Sequence, residues 1–234
     1  IPNTEVAVLD PGNRLITHQS RHRLGAEEIR DTALSAAGVL KKTEKIPARS
    51  FYPYQPDAYW KKSNKIMLGS RYQIWDTDKG NNQYQRSLYT YWKRQNPHPS
   101  MLAFDAPTRQ ECTAERAITN SPGQALAMLN DPTYIEASRL LARRTMLSAQ
   151  DSTVRLKNLF KFALQRPPSE KEIVILEIHL KKWMKYYQKH PDEATNLLKI
   201  GQPQTEAALP VSEHAAWSNM ARMILNLHEF ITRS

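Results

Sequence analysis

DPTYIEASRLLARRTMLSAQDSTVRLKNLFKFALQRPPSEKEIVILEIHLKKWMKYYQK, residues 131–189, carries three helix signatures in succession. Asp131 and Pro132 supply an N-cap and a first-turn proline, and Ile135, Leu140, Leu141 and Met146 fall at inward positions of a helix running to about Ser148. From Asp151 to Gln165, Val154, Leu156, Leu159, Phe160, Ala163 and Leu164 recur at helical spacing until Arg166-Pro167-Pro168 stops them. Ser169 and Glu172 form a capping-box pattern that opens a long helix through Ile173, Leu176, Leu180, Trp183 and Tyr187.

Working outward, the spacing predicts a short helix from near Pro191 to Ile200, closed by Gly201. A last helix is expected from near Ser212 through Ala216, Met220, Met223, Ile224 and Leu227, before Phe230. Upstream, Glu27 to Leu40 reads as an N-terminal helix. Leu, Ala and Met dominate these faces and β-branched alternation is nearly absent, so the expected class is mainly α: an irregular helical domain with long Pro-rich loops in its N-terminal half. Residues 43–85 hold Pro47, Pro53, Pro56 and a turn signal at 78–82, and a loop of that length implies function, partner contact or mobility. Length fits one domain, 1–234, with 1–130 loop-rich around one or two helices and 131–234 a helical bundle.

Between the two lies residues 86–131, RSLYTYWKRQNPHPSMLAFDAP followed by TRQECTAERAITNSPGQALAMLND. Pro97, Pro99, Pro107 and Pro122 forbid a continuous helix, so this is an irregular connection whose backbone groups need side-chain partners. Arg86, Arg94, Asp105, Arg109, Arg116, Asn120 and Gln124 are suited to that work. The segment is therefore either a site or a structural knot. As a site, its binding candidates are Arg86, Tyr91, Trp92, Arg94, Arg116, Asn120 and Gln124, and its catalytic candidates are His98 and Asp105. His98 stands between two prolines that would hold its ring near Asp105 and Arg94, although a structural hydrogen-bonding role is the simpler reading. Glu111 and Glu115 form a second carboxylate pair if that piece is helical. Asn120 or Ser121 is expected to cap a helix that starts there.

The run RSLYTYWKR, then PHPSMLAFDAPTR, EC, ER and TNSPGQALAMLNDP, resembles the planctomycete-specific domain one family, a C-terminal domain of unknown function. DPGNRLITHQSRHRLGAEEIRDTALSAAG resembles that family's Asn-Arg pair, basic run and Ile-Arg-Asp helix, and FKFALQRPPSEKE with AAWSNMARMILNLHEFITR resembles its closing helices. The family's usual TNTPLQAL reads TNSPGQAL at 119–126, so Gly123 replaces a leucine. The resemblance implies a domain that ends large exported proteins, behind a cytochrome-c-like segment and a second uncharacterised domain. It implies a periplasmic or extracellular location, and partners that are other domains of the same precursor or a cytochrome-like protein. The helices that normally precede the Asn-Arg pair are missing, so the chain reads as a C-terminal fragment of a longer protein.

Charge and composition restrict the chemistry. The net charge is +10, with +7 in residues 1–110 and +3 in residues 111–234. Basic aromatic runs at 59–62, 89–94 and 181–187 suit polyanions, because cations contact phosphate or sulfate while rings stack. No nucleic-acid-binding motif accompanies them, and the exported location that the resemblance implies tilts any polyanion reading toward acidic polysaccharide over nucleic acid. The simpler reading is a solvated basic face whose aromatics belong to the core. Cys112 is the one cysteine, expected to be buried and structural, and no CxxCH is present. No cofactor is therefore assigned to this chain, and any haem belongs to a linked or partner domain. His18 and His22 are four apart but lack the Glu and third ligand of a zinc protease, so no metal is assigned; His179, His190, His214 and His228 read as surface or rim residues. Neither a signal-peptide pattern nor a run of about 18 apolar residues occurs. Three readings follow in order: an interaction or assembly domain, a hydrolase or glycan-acting domain with its site in 86–124, and a polyanion-binding module.

Overall fold

The computed structural model describes residues 8–17, 19, 21–42, 46–54, 77–93, 97–202 and 209–233. His18, Arg94 and the aromatic run at 59–62 lie outside them. The described residues form eight helices: α1 (Ala26–Ala36), α2 (Pro99–Ala103), α3 (Pro122–Asn130), α4 (Pro132–Ser148), α5 (Ser152–Leu164), α6 (Glu170–Lys189), α7 (Pro191–Leu198) and α8 (Val211–Leu225). Two 3-10 turns, Gly80–Tyr84 and Ser87–Tyr89, shape the connection after α1. A two-residue antiparallel pair, β1 (His22–Arg23) with β2 (Thr232–Arg233), fastens the last residues beside α1.

Local chemistry sets the ends of these helices. Asp131 Oδ1 accepts from Thr133 N at 2.8 Å to start α4, and Asp151 Oδ1 accepts from Val154 N at 2.8 Å to start α5. Ser169 and Glu172 close both arms of a capping box on α6. The first helix is shorter than the expected Glu27 to Leu40, because Gly38 (φ +79) ends it in a Schellman motif: Gly38 N donates to Ser35 O and Val39 N to Leu34 O. Among the described residues the N-terminal part has three α-helices where one or two were expected, since Pro99 at the first turn starts the short α2.

The core is organised by α8, which packs along α4 and also meets α6, α7 and α5. Ala215, Ala216, Trp217, Met220, Ala221, Ile224 and Leu225 are all buried, and from His214 to Ala221 the helix is covered on every side. Its polar residues are paired inside: His214 bonds Arg139 O at 3.0 Å, Ser218 donates to His214 O, and Asn219 donates to the Tyr187 hydroxyl. His214 is thus a core histidine rather than a rim one, and burial lowers its pKa. The same cluster takes in Ile29, Ala33 and Leu34 of α1, Met101 and Phe104 around α2, and Met128 of α3. Val154, expected inward, faces out at 44% exposure, while Leu140 and Leu164 are half-buried. Helical spacing alone does not say how wide the covered stripe is, and neighbours leave that side of α5 open.

Candidate functional site

The irregular connection is held by side chains reaching into it from α1 and β1. Arg30, on the buried face of α1 and 3% exposed, donates to Gln85 O at 3.0 Å, Gln83 O at 2.5 Å and Ser87 Oγ at 3.1 Å. Its guanidinium lies 4.9 Å from the Phe51 ring centroid. Next along, Asp31 Oδ1 accepts from both Ser87 N at 2.8 Å and Ser87 Oγ at 2.7 Å. One turn of helix therefore dictates the course of residues 83–90. Arg86 points outward from that turn, its side chain 59% exposed and its Nε 3.6 Å from Asp31 Oδ2.

Asp105 does the same for the next stretch. It sits just past α2 in the left-handed region (φ +59), which Asp tolerates better than most residues. Arg23 Nη2 donates to its Oδ2 at 2.6 Å, Thr119 N to Oδ2 at 2.9 Å, and Thr119 Oγ1 to Oδ1 at 2.9 Å. Gln124, buried at the start of α3, donates to Thr119 O at 3.0 Å. Arg116 grips Glu27 at 2.7 and 3.2 Å. Burial acts to raise the Glu27 pKa, but hydrogen bonding and charge from Arg116 outweigh it, and the carboxyl titrates below its ordinary value. Trp92 donates to Thr108 O at 3.1 Å and is covered by the Arg109 guanidinium at 4.5 Å, while Tyr91 stacks on Tyr52 at 4.4 Å.

His98 and Asp105 do not form a joint acid/base pair. The His98 ring is 5% exposed, with Nε2 on Tyr54 O at 2.9 Å and Nδ1 on Ser100 Oγ at 2.8 Å. A carbonyl only accepts, so Nε2 carries the proton and Nδ1 takes the Ser100 hydroxyl. Burial lowers the His98 pKa, and the carboxylate whose charge acts against that lowering is Asp131, not Asp105. Glu111, Glu115, Asn120 and Ser121 are exposed on the connection, and Ser121 occupies the N-cap of α3 without a side-chain cap bond. Cys112 is exposed, not buried as expected, because the chain from Thr108 to Gly123 runs over the surface without entering the core.

A buried polar cluster escaped the sequence reading. Glu136 and Arg139 of α4 are 2% exposed each. Tyr84 OH donates to Glu136 Oε1 at 2.7 Å, Gln202 N donates to the same oxygen at 3.1 Å, and Arg139 Nη2 donates to Gln202 O at 2.9 Å. Burial first, and the bond to Glu136 second, push the Tyr84 phenol above its ordinary value. Gly201 (φ +91) passes so close that a Cβ there would lie 2.7 Å from Glu136. The available signal was a charged pair three apart on the inward side of α4, beside Ile135 and Leu141.

Among the described residues, no group of three or more His, Cys, Asp or Glu is placed to hold a metal ion, and no helix is long and apolar enough to cross a membrane. A family model whose description is a protein of unknown function matches residues 2–180. The match stops inside α6, ahead of α7 and α8. No curated protein and no solved structure matches the chain.

Proposed function

This chain belongs to the PSD1 family of proteins of unknown function (DUF1553), and from that premise we propose that it is an interaction domain that docks onto other domains of a longer, exported protein. The proposed neighbour is a haem-carrying, cytochrome-c-like module, and the proposed location is periplasmic or extracellular. One observation carries this reading: sixteen consecutive residues, Thr108 to Gly123, are exposed yet follow a course pinned by Trp92, Glu27 and Asp105. Ordering an exposed segment costs backbone entropy of about 1–2 kcal/mol per residue, which a surface shaped for a partner can recover on docking.

The hydrogen-bonding atoms of His98 and Asp105 are spent on Tyr54, Ser100, Arg23 and Thr119, which favours a structural role over hydrolysis. The test is calorimetric titration of the chain with the cytochrome-c-like segment of its own precursor. Saturable binding that weakens in Glu111→Arg/Glu115→Arg, two exposed carboxylates of the pinned segment, supports docking. Absence of binding, together with ester or glycoside hydrolysis that disappears in Asp105→Asn, overturns it.

A further inference from the structure

The end of α1 and the facing sides of α4 and α5 enclose an open groove of about 610 Å3. That is within the roughly 300–1,000 Å3 common for small-molecule sites. Thr32 and Ser35 of α1, Arg144 of α4, Lys161 and Phe162 of α5, and Gln165 just past α5 line it, together with aliphatic side chains.

Its charges are not balanced internally. The carboxylate on the wall, Asp31, is already committed to Ser87 N and Oγ, with the Arg86 Nε beside it at 3.6 Å. Arg144 uses Nη1 to bond Ala36 O at 2.7 Å and lies 4.0 Å from the Phe162 ring centroid. Those contacts fix the guanidinium plane while leaving further N–H donors on a group that has five. Lys161 is exposed and makes no ion pair among the described residues. Two cations thus face one groove, while the Asp31 carboxylate is offset by Arg30 Nη1 at 3.9 Å and Arg86 Nε at 3.6 Å. An anionic group is the complement.

The remaining polar lining narrows the class. Two hydroxyls and one amide, from Thr32, Ser35 and Gln165, each donate and accept, which matches the mixed donor and acceptor character of sugar hydroxyls. Gln165 holds this place in the left-handed region (φ +59), where glycine would be less strained. A peptide bound by strand addition would need a sheet edge, and the described strands are the two-residue β1 and β2, neither of which lines the groove. Nucleobases would need open stacking platforms, and the lining offers one ring, Phe162, already covered on one face by Arg144. We propose that this groove binds a saccharide carrying a carboxylate or sulfate group. The site stands apart from the Thr108 to Gly123 surface, so it holds or fails independently of the docking function.

The test is calorimetric titration of the full chain with four probes: an oligogalacturonate, a heparin hexasaccharide, neutral cellohexaose and a polyglutamate peptide. Binding of at least one acidic saccharide is expected, weakening as salt rises, with no binding of cellohexaose. The two acidic probes separate carboxylate from sulfate recognition. Lys161→Gln is expected to weaken binding about tenfold, the value of one charge-assisted hydrogen bond. Arg86→Gln, which removes one of the two guanidiniums that offset Asp31, should weaken it about threefold. Lys199→Gln, an exposed lysine past α7, should leave it unchanged. Arg144→Gln also removes a bond to the end of α1, so its loss of binding counts only where its Tm matches the parent chain. The proposal is overturned if neither acidic saccharide binds, if Lys199→Gln weakens binding as much as Lys161→Gln, or if polyglutamate binds as tightly as the saccharides.

Discussion

The two halves of this molecule are ordered by different physics. Around α8 the chain is held by burial: Trp217, Met220, Ala221 and Ile224 are at most 1% exposed, and the helices around them follow from spacing and caps. Between Gln83 and Gln124 the described residues have little regular structure, and their course is set by directed bonds from Arg30, Asp31, Arg23, Asp105 and Arg116. Burial is non-directional and tolerates exchange of one apolar side chain for another of similar volume. A hydrogen-bonded lock specifies one geometry and fails when one partner is removed, because the other is left unpaired.

The contrast predicts different kinds of failure. Trp217→Ala should have the largest effect, about 3–5 kcal/mol, and it should be global, lowering the denaturation midpoint seen by every probe. Arg30→Met should cost about 2–3 kcal/mol, since it strands the carbonyls of Gln83 and Gln85 inside the protein. Its signature is local: amide exchange rises at residues 83–90 while α8 stays protected. If α8 loosens equally, the two halves are one cooperative unit and the contrast is broken.

Gly201→Ala tests whether the helical half has a lock of its own. A positive φ and a Cβ 2.7 Å from Glu136 should cost about 2 kcal/mol, visible as a lowered Tm. Asp105→Asn keeps a residue that accepts the left-handed conformation but removes the charge that meets Arg23, at about 1–2 kcal/mol. Limited proteolysis should then cut at Arg109 or Arg116 in the exposed segment before any cleavage in α8.

The smallest effects are those of pH. Burial holds His214 and His98 neutral, so stability is highest above their ordinary value of 6.5 and falls as pH drops through it, when the unfolded chain takes up protons that the folded chain refuses. Glu172 behaves as a second step. Its hydrogen bonds from Arg166 pull it down to about 2, against burial, so its contribution is present above 4.5 and is lost as pH falls towards 2. The pair is about one-third exposed on each side chain, so solvent screening leaves less than about 1 kcal/mol there. Chemical denaturation across pH should resolve the two steps, and His214→Gln should diminish the first.

Legibility in the sequence divided along the same line. Asp131-Pro132, Asp151 and Ser169 with Glu172 act through neighbours two or three residues away, so α4, α5 and α6 were readable almost to the residue. Gly38 was equally local, yet its left-handed turn ended α1 four residues before Leu40, because a permissive residue leaves open whether the chain uses its freedom. The exposure of Cys112 and the burial of His214 depended on what packs over them, which residue type does not state.

The sequence by itself determined the mainly α class, the places where the longer helices begin, and the irregularity of the proline-broken connection, because caps, spacing and proline chemistry operate over a few residues. The tertiary structure alone decided which polar side chains far apart in the chain meet. Arg30 finds Gln85 55 positions away, Arg23 finds Asp105 82 positions away, and Arg116 finds Glu27 89 positions away. Bonds across such separations form only after the chain has closed, so no local pattern encodes them.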